Sequence, residues 1–252
     1  MQQNFIAITA TTPAKEHKAK ELAGMLKLNF IPYEDKASIH SYVYLLIITE
    51  DRIGLQNMAD RSKTPFYLDF LSKKMIYRCE RATLRNELLA RAIGVKPSDH
   101  ATIIDGTAGF GRDSFILASL GYQITLLERS PIIHLILQDA LSRISHIDTY
   151  QRLTLIHADT IHWLPRTKYP NIILLDPMFP DKKKSSSVKK ESAILQDLLV
   201  KCRDDEYLLM TALACATERV VVKRPRLAEC LAKQKPSFSL KGNSCRFDIY
   251  LV

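Results

Sequence analysis

The chain has 252 residues, 46% of them apolar, which is enough to build a full core and excludes a disordered segment. Thirty-six Lys and Arg against twenty-seven Asp and Glu leave a net charge of +9, a balance that favours a polyanionic partner. No run reaches the roughly twenty apolar residues of a membrane span, and the opening MQQNFIAITA lacks the basic start and long apolar core of a signal peptide, so a cytoplasmic location is expected.

Residues 5–9, FIAIT, read as a short strand, and 13–28 as a helix with Ala19, Leu22, Ala23 and Leu26 at helical spacing. Residues 42–49 and 52–56 follow as a hairpin across Glu50 and Asp51, and 65–69 as an extended segment. Tyr33, Tyr42 and Tyr44 read as packing aromatics. A small α/β domain over 1–77 is therefore expected, with a larger one over 78–252. The run 72–85 sets Lys73, Lys74, Arg78, Arg81 and Arg85 against a single acid, Glu80, and is either a solvated face or the rim of a site for an anion. A helix over 86–93 ends at Gly94.

The stretch 101–129, ATIIDGTAGFGRDSFILASLGYQITLLER, organises the rest. An apolar run stops at Asp105 and gives way to Gly106, Gly109 and Gly111, the composition of a buried strand entering a tight loop. A helix over 112–120 carries Phe115, Ile116, Ser119 and Leu120 on one side and ends before Gly121. A second strand over 122–127 delivers Glu128, twenty-three residues after Asp105. Glycines let backbone pass close under a ligand, the helix N-terminus adds unpaired N–H groups, and an acid at the next strand tip can accept hydrogen bonds from ribose hydroxyls. Such a site holds an adenosine derivative. The dinucleotide pattern G-x-G-x-x-G fits Gly109 and Gly111 but meets Ser114 at its third glycine.

Ser130 and Pro131 start a helix whose Ile133, Ile136, Leu137, Ala140, Leu141 and Ile144 repeat at the helical period. Residues 153–157 form a third strand, with Asp159 just past its end. Asp159 either meets an adenine amino group or caps the turn that Thr160 opens. Residues 171–175 are a fourth buried strand running into Asp176-Pro177-Met178-Phe179-Pro180. This loop sets a carboxylate, a carbonyl made rigid by proline and an aromatic face together, so that a flat base could stack on Phe179 while its amine donates to Asp176 and the Pro177 carbonyl. Residues 181–190, DKKKSSSVKK, put Lys182, Lys183, Lys184, Lys189 and Lys190 directly after that loop, where phosphate contact is expected. Ile194, Leu195, Leu198, Leu199 and Cys202 mark a further helix. A fifth strand over 219–223 ends in Lys223, Arg224 and Arg226, read as a second basic rim, and a hairpin over 237–252 closes the sheet. The five cysteines are scattered without a C-x-x-C pair, which argues for reduced thiols and no metal site.

IIDGTAGFGRD with LLERSP, LLDPMFP followed by KKKSSSVKKE, RVVVKRP and CRFDIYLV resemble the bacterial ribosomal RNA small subunit methyltransferase J family, over most of the chain from about residue 85 onward. The DPMFP motif is distinctive beside the [DN]-P-P-[FYW] loop of other amino-group methyltransferases. The resemblance implies a class I S-adenosylmethionine-dependent methyltransferase fold, Rossmann-like, with a mostly parallel sheet closed by a C-terminal antiparallel hairpin. It implies methylation of the N2 amine of a guanosine in 16S ribosomal RNA, with S-adenosylhomocysteine as product. By the same likeness Arg112, Asp113, Glu128, Arg129, Asp159, Thr160 and Asp176 contact S-adenosylmethionine, beside Asp105, Gly106 and Gly109 of the loop. A glycine-rich turn usual in the family is replaced here by Glu80-Arg81-Ala82-Thr83. Competing readings are another RNA or DNA adenine as substrate, an NAD-dependent dehydrogenase using the same glycine loop, and a non-catalytic RNA-binding module.

Overall fold

The computed structural model describes residues 5–35, 37–59, 64–177, 198 and 204–252. The chain divides into two compact units, one of Met1–Asp69 with Leu135–Arg143 and one of Phe70–His134 with Ile144–Val252.

In the first unit, β1 (Ile6–Ala10) pairs in parallel with β2 (Asn29–Ile31) and β3 (Tyr44–Ile48). Strands β4 (Ile53–Asn57) and β5 (Phe66–Tyr67) extend the sheet antiparallel, giving the order β2-β1-β3-β4-β5. The expected first helix is α1 (Glu16–Leu26), entered through a 3₁₀ turn at Pro13–Lys15 and stopped by Lys27 in the left-handed region. Its Ala19, Leu22 and Ala23 are buried. Tyr44 is fully buried, as a packing aromatic should be. The 135–143 segment is fastened here by Asp139, which accepts the Ile53 N–H at 3.1 Å, and by Arg143, which donates to the Leu68 carbonyl at 2.5 Å.

The second unit is built on a seven-stranded sheet. Its strands are β6 (Ile103–Asp105), β7 (Ile124–Glu128), β8 (Leu153–His157), β9 (Ile172–Leu175), β10 (Arg219–Pro225), β11 (Phe238–Lys241) and β12 (Cys245–Leu251). The order is β11-β12-β10-β9-β6-β7-β8, and every pairing is parallel except the two made by β12. Buried apolar strands such as Ile172–Leu175 suit a parallel sheet covered on both faces. A core of Ile104, Leu127, Ile173, Leu175, Val220, Val222 and Tyr250 packs with Leu209, Ala212 and Cys215 of a helix over Asp205–Cys215.

Helix α2 (Lys73–Arg81) and helix α3 (Leu88–Ile93) precede the first core strand, and α3 ends on Gly94 with φ +72°. Between them the position of the missing glycine turn is held by side chains instead. Asn86 accepts the Thr83 N–H at 2.8 Å, donates to the Arg81 carbonyl at 2.8 Å, and its own N–H reaches Thr83 Oγ1 at 3.1 Å. Helix α4 (Arg112–Ser119) follows the glycine loop, and Ser114 to Ala118 are all buried, so it carries no solvent face there and the one-sided stripe expected for it is too narrow. Helix α5 (Pro131–Ser142) follows β7 with its periodic apolar positions buried as read. A short helix α6 (Thr160–Trp163) follows β8.

The order of strands reverses at β6, which connects through α4 to β7 on one side yet pairs with β9 on the other. In an open parallel sheet that reversal opens a crevice at the carboxyl ends of the strands, where ligands bind. Among the described residues no helix is long and apolar enough to cross a membrane.

Candidate active site

The loop after β6 is stitched to both neighbouring strands. The Gly106 N–H donates to the Leu174 carbonyl at 2.9 Å, and the Ala108 N–H to the Leu127 carbonyl at 3.1 Å. Gly109 and Gly111 then adopt φ +53° and +64°, a region that L side chains enter at a cost, and Gly111 is the N-cap of α4. Glycine is required at these two turns.

Glu128 closes the loop from the side of β7. Its Oε2 accepts the Gly109 N–H at 2.9 Å and its Oε1 the Ser130 N–H at 2.7 Å, while 4% of the residue remains exposed. Burial pushes its pKa up to about 7, against the two backbone hydrogen bonds. Asp105 is equally buried and braces the loop from within. It accepts Ser114 Oγ–H at 2.5 Å and the Thr107 N–H at 3.1 Å, and burial lifts its pKa to about 6. Both oxygens of Asp105 are thus engaged by the loop that the sequence expects to line the ligand.

Thr160 reaches the same loop from α6, its hydroxyl donating to the Gly106 carbonyl. Asp159 takes the capping role of its two readings, accepting the Ile161 N–H at 2.9 Å. Its other oxygen lies 3.7 Å from Arg129, which also lies 3.9 Å from Asp204. Arg112 opens α4 and is partly buried.

Asp176 stands one residue beyond β9. The β9–β10 register aligns Leu175 with Val222, so the next residues along, Asp176 and Lys223, fall side by side at the carboxyl edge. Lys223 Nζ lies 2.8 Å from Asp176 Oδ2 and 2.5 Å from Asp113 Oδ2. Arg78 of α2 approaches the other oxygen of Asp113 at 3.5 Å and Glu87 at 3.2 Å. The Asp176 N–H donates to Thr107 Oγ1 at 2.5 Å, tying the β9 tip to the glycine loop. Burial opposes the charge on Asp113, but Lys223 and Arg78 outweigh it and hold its pKa below the usual range. The surrounding protein withholds solvent from Asp176 and raises its pKa even though 46% of the side chain is exposed, while Lys223 pulls it down and Asp113 pushes it up. The two carboxylates raise Lys223 well above its ordinary value in spite of its burial, so it remains an ammonium.

The three residues read as one basic rim separate, because successive strand residues face opposite sides. Lys223 points into the acid cluster. Arg224 is 3% exposed and donates to the Glu229 carbonyl at 2.9 and 3.1 Å, which takes it out of reach of an RNA phosphate. Arg226 is exposed. Phe179 and the lysines at 182, 183, 184, 189 and 190 lie outside the described residues, as does most of the helix read over 194–202. Thr107 and Ser114 are the members of the site missed in the sequence, and Arg78, from the basic run left open between a solvated face and a site rim, pairs with Asp113 and Glu87. The hydroxyl of Thr107, two residues past the acid that ends β6, was the available signal, since acids and hydroxyls at that spacing build turns. Among the described residues no cluster of His, Cys, Asp and Glu could hold a metal ion, and Cys79, Cys215, Cys230 and Cys245 are free thiols.

These residues fit a ligand bearing an adenosine. No Cβ covers the left-handed glycine turns, and an ionised carboxylate offers about four lone-pair sites, so Glu128 retains acceptor capacity beyond the two N–H bonds it holds. The family model described as "Putative SAM-dependent methyltransferase" matches residues 34–252. The chain belongs to this family. Its curated relatives include proteins named Ribosomal RNA small subunit methyltransferase J from Coxiella burnetii, 38% identical with 98% of this chain and 97% of the relative covered, and from Thioalkalivibrio sulfidiphilus, 41% identical over the whole of both. A crystal structure of a SAM-dependent methyltransferase from Neisseria gonorrhoeae is similar at a TM-score of 0.71 and 32% identity, covering 97% of this chain and 95% of that one. Membership makes the protein an S-adenosylmethionine-dependent methyltransferase of class I fold and removes the dehydrogenase and the non-catalytic binding module.

Proposed function

We propose that this enzyme methylates the exocyclic N2 amine of a guanosine in 16S ribosomal RNA, acting in the cytoplasm on the RNA or the small subunit that contains it. The name carried by relatives at 38% and 41% identity supports the RNA, and the DPMFP loop supports an amino group as acceptor. The observation that carries the reading is the placement of Asp176 at the carboxyl edge, bonded through its N–H to the same loop that Glu128 grips.

S-adenosylmethionine, when bound, supplies a methyl group already activated by its positive sulfur. The protein's work is then mainly alignment. Glu128 would accept the ribose hydroxyls, and the glycine loop with Arg112 and Asp113 at the start of α4 would line the rest of the cofactor. Arg129 with Asp159 and Thr160 would bound the adenine side. Asp176 and the Pro177 carbonyl would accept the hydrogens of the target amine, favouring the pyramidal, positively charged nitrogen that develops during transfer. Phe179 would hold the base flat. Arg226 and the lysines of the 181–190 segment would meet phosphates, a contact that weakens steeply with salt. The test is transfer of labelled methyl from S-adenosylmethionine to small-subunit RNA by the wild-type chain and by Asp176→Ala. Turnover by the first and its loss in the second support the reading, and equal labelling by both removes Asp176 from it.

A further inference from the structure

Lys223 is a cation placed where a methyltransferase that must stabilise a developing cation has no obvious use for one. Its surroundings resolve this. The ammonium lies between two carboxylates, 2.5 Å from Asp113 Oδ2 and 2.8 Å from Asp176 Oδ2, and Arg78 beyond Asp113 is itself matched by Glu87. The five charges Asp113, Asp176, Glu87, Lys223 and Arg78 sum to minus one. The cluster therefore still presents a net negative charge to a sulfonium and an incipient ammonium.

We propose that Lys223 is a positioning residue that fixes the Asp176 carboxylate against Asp113, on the helix that follows the glycine loop, and leaves Asp176 Oδ1 as the acceptor for the target amine. The proposal rests on the methyltransfer reading given above. Two restraints define the position of Asp176: the Thr107 hydroxyl holds its backbone N–H, and Lys223 holds one side-chain oxygen. Among the described residues Oδ1 has no hydrogen-bond partner. Lys223 also joins the two halves of the site, since Asp113 belongs to α4 and Asp176 to the loop after β9. A neutral residue at 223 would leave two carboxylates facing each other with nothing between them, and one would take up a proton at neutral pH. A protonated Asp176 is a poorer acceptor for the amine hydrogen and no longer carries the negative charge that favours the developing cationic nitrogen.

The charged groups that bear on Asp176 are Lys223 and Arg224 from β10, Asp113 from α4 and Asp105 from β6. Of these only Lys223 touches it. Loss of solvent raises the pKa of Asp176 and Lys223 is the largest influence lowering it, so removing Lys223 moves the limb on which activity rises as Asp176 ionises to higher pH.

The test compares wild type with Lys223→Met, Lys223→Gln and Lys223→Arg, measuring kcat on small-subunit RNA from pH 6 to 9, cofactor Kd by calorimetry, and melting temperature. For Lys223→Met the expected result is a fall in kcat of about tenfold or more at pH 7, an acid limb raised by about one pH unit or more, and partial recovery above pH 8. Lys223→Gln, which keeps a donor without the charge, shows the same shift and serves if the Met variant does not fold. Lys223→Arg keeps the wild-type limb. Cofactor Kd changes by less than kcat does in all three, because Asp113, which would line the cofactor, keeps Arg78 as a partner when Lys223 is removed. A limb that superimposes on wild type after scaling, or a Kd that rises in step with the loss of kcat, would overturn the assignment. A wild-type chain inactive on small-subunit RNA overturns the proposed reaction and the role of Lys223 together, whereas an active wild type with an unshifted Met variant overturns Lys223 alone.

Discussion

Glu128 Oε2 accepts the Gly109 N–H at 2.9 Å, so the acid at the tip of β7 and the turn after β6 are bonded to each other. The same side chain accepts the Ser130 N–H at 2.7 Å. On the proposed reading, cofactor recognition and loop stability depend on one carboxylate. Glu128→Ala strands two partly buried donors at about 1–2 kcal/mol each, so a loss of about 2–4 kcal/mol in urea unfolding is expected. Glu128→Gln keeps one acceptor oxygen and loses less stability. Both variants bind S-adenosylmethionine at least about tenfold more weakly by calorimetry, because a hydrogen bond to a charged group is worth about 1.5–3 kcal/mol.

The raised pKa values give a pH dependence of definite sign. Glu128 moves from its ordinary 4.5 to about 7 and Asp105 from 3.8 to about 6, in both cases because burial disfavours the charge. Between the ordinary and the raised values the folded chain holds protons that the unfolded chain has released. The stability contributed by these two acids is thus full below pH 4, falls as pH rises through 6 and 7, and is level above. Hydroxyl donors favour the ionised form of Glu128, so cofactor affinity should rise with pH up to about 7 and then flatten. Calorimetry in two buffers of different ionisation enthalpy should find proton release on binding at pH 6 and almost none at pH 8. Affinity independent of pH would mean that Glu128 makes no bond to the ligand.

Gly106 is confined for a different reason. Its backbone does not need a positive φ, but a Cβ there would come within 2.9 Å of Thr160 Cγ2 and 3.0 Å of Leu175 Cδ2. Gly106→Ala should cost about 1–3 kcal/mol through overpacking. Thr160→Ser removes the Thr160 methyl while keeping the hydroxyl that bonds Gly106. The double variant should therefore recover part of the loss, with a coupling of at least about 0.5 kcal/mol in thermal or urea unfolding.

Asp176→Asn retains the size of the side chain but not its charge. Its expected effect is a fall in kcat of about a hundredfold or more, the usual scale for removing a group aimed at developing charge, with a much smaller change in cofactor Kd. Equal losses in both would place Asp176 on the cofactor instead of the acceptor.

Much of this site was legible because its signals are local. The run ending at Asp105, the glycines at 109 and 111 and the acid at 128 follow one another along a strand, a turn, a helix and a strand, and each residue type is demanded by the backbone around it. The closing hairpin and the buried strand before Asp176 were readable for the same reason. What could not be read depends on pairing between distant strands. Lys223 and Arg224 are adjacent and both basic, and only the register of β10 against β9 and β12 sends one to Asp176 and buries the other against Glu229. Arg78 sits in a basic run whose two readings differ only by what lies opposite, and Asp113 supplies that from thirty-five residues away. Strands β2 and β5 are too short to carry an alternating pattern, and their place in the first sheet comes from their partners β1 and β4.

Identity of the methylated nucleoside tests the central claim most directly. Small-subunit RNA lacking the modification is incubated with the wild-type chain and S-adenosylmethionine labelled in its methyl group, then digested to nucleosides and separated by chromatography with mass detection. The expected product is N2-methylguanosine, labelled about once per RNA at saturation and absent with Asp176→Ala. Label on adenosine or cytidine, or none on any nucleoside from either naked RNA or intact subunits, would contradict it.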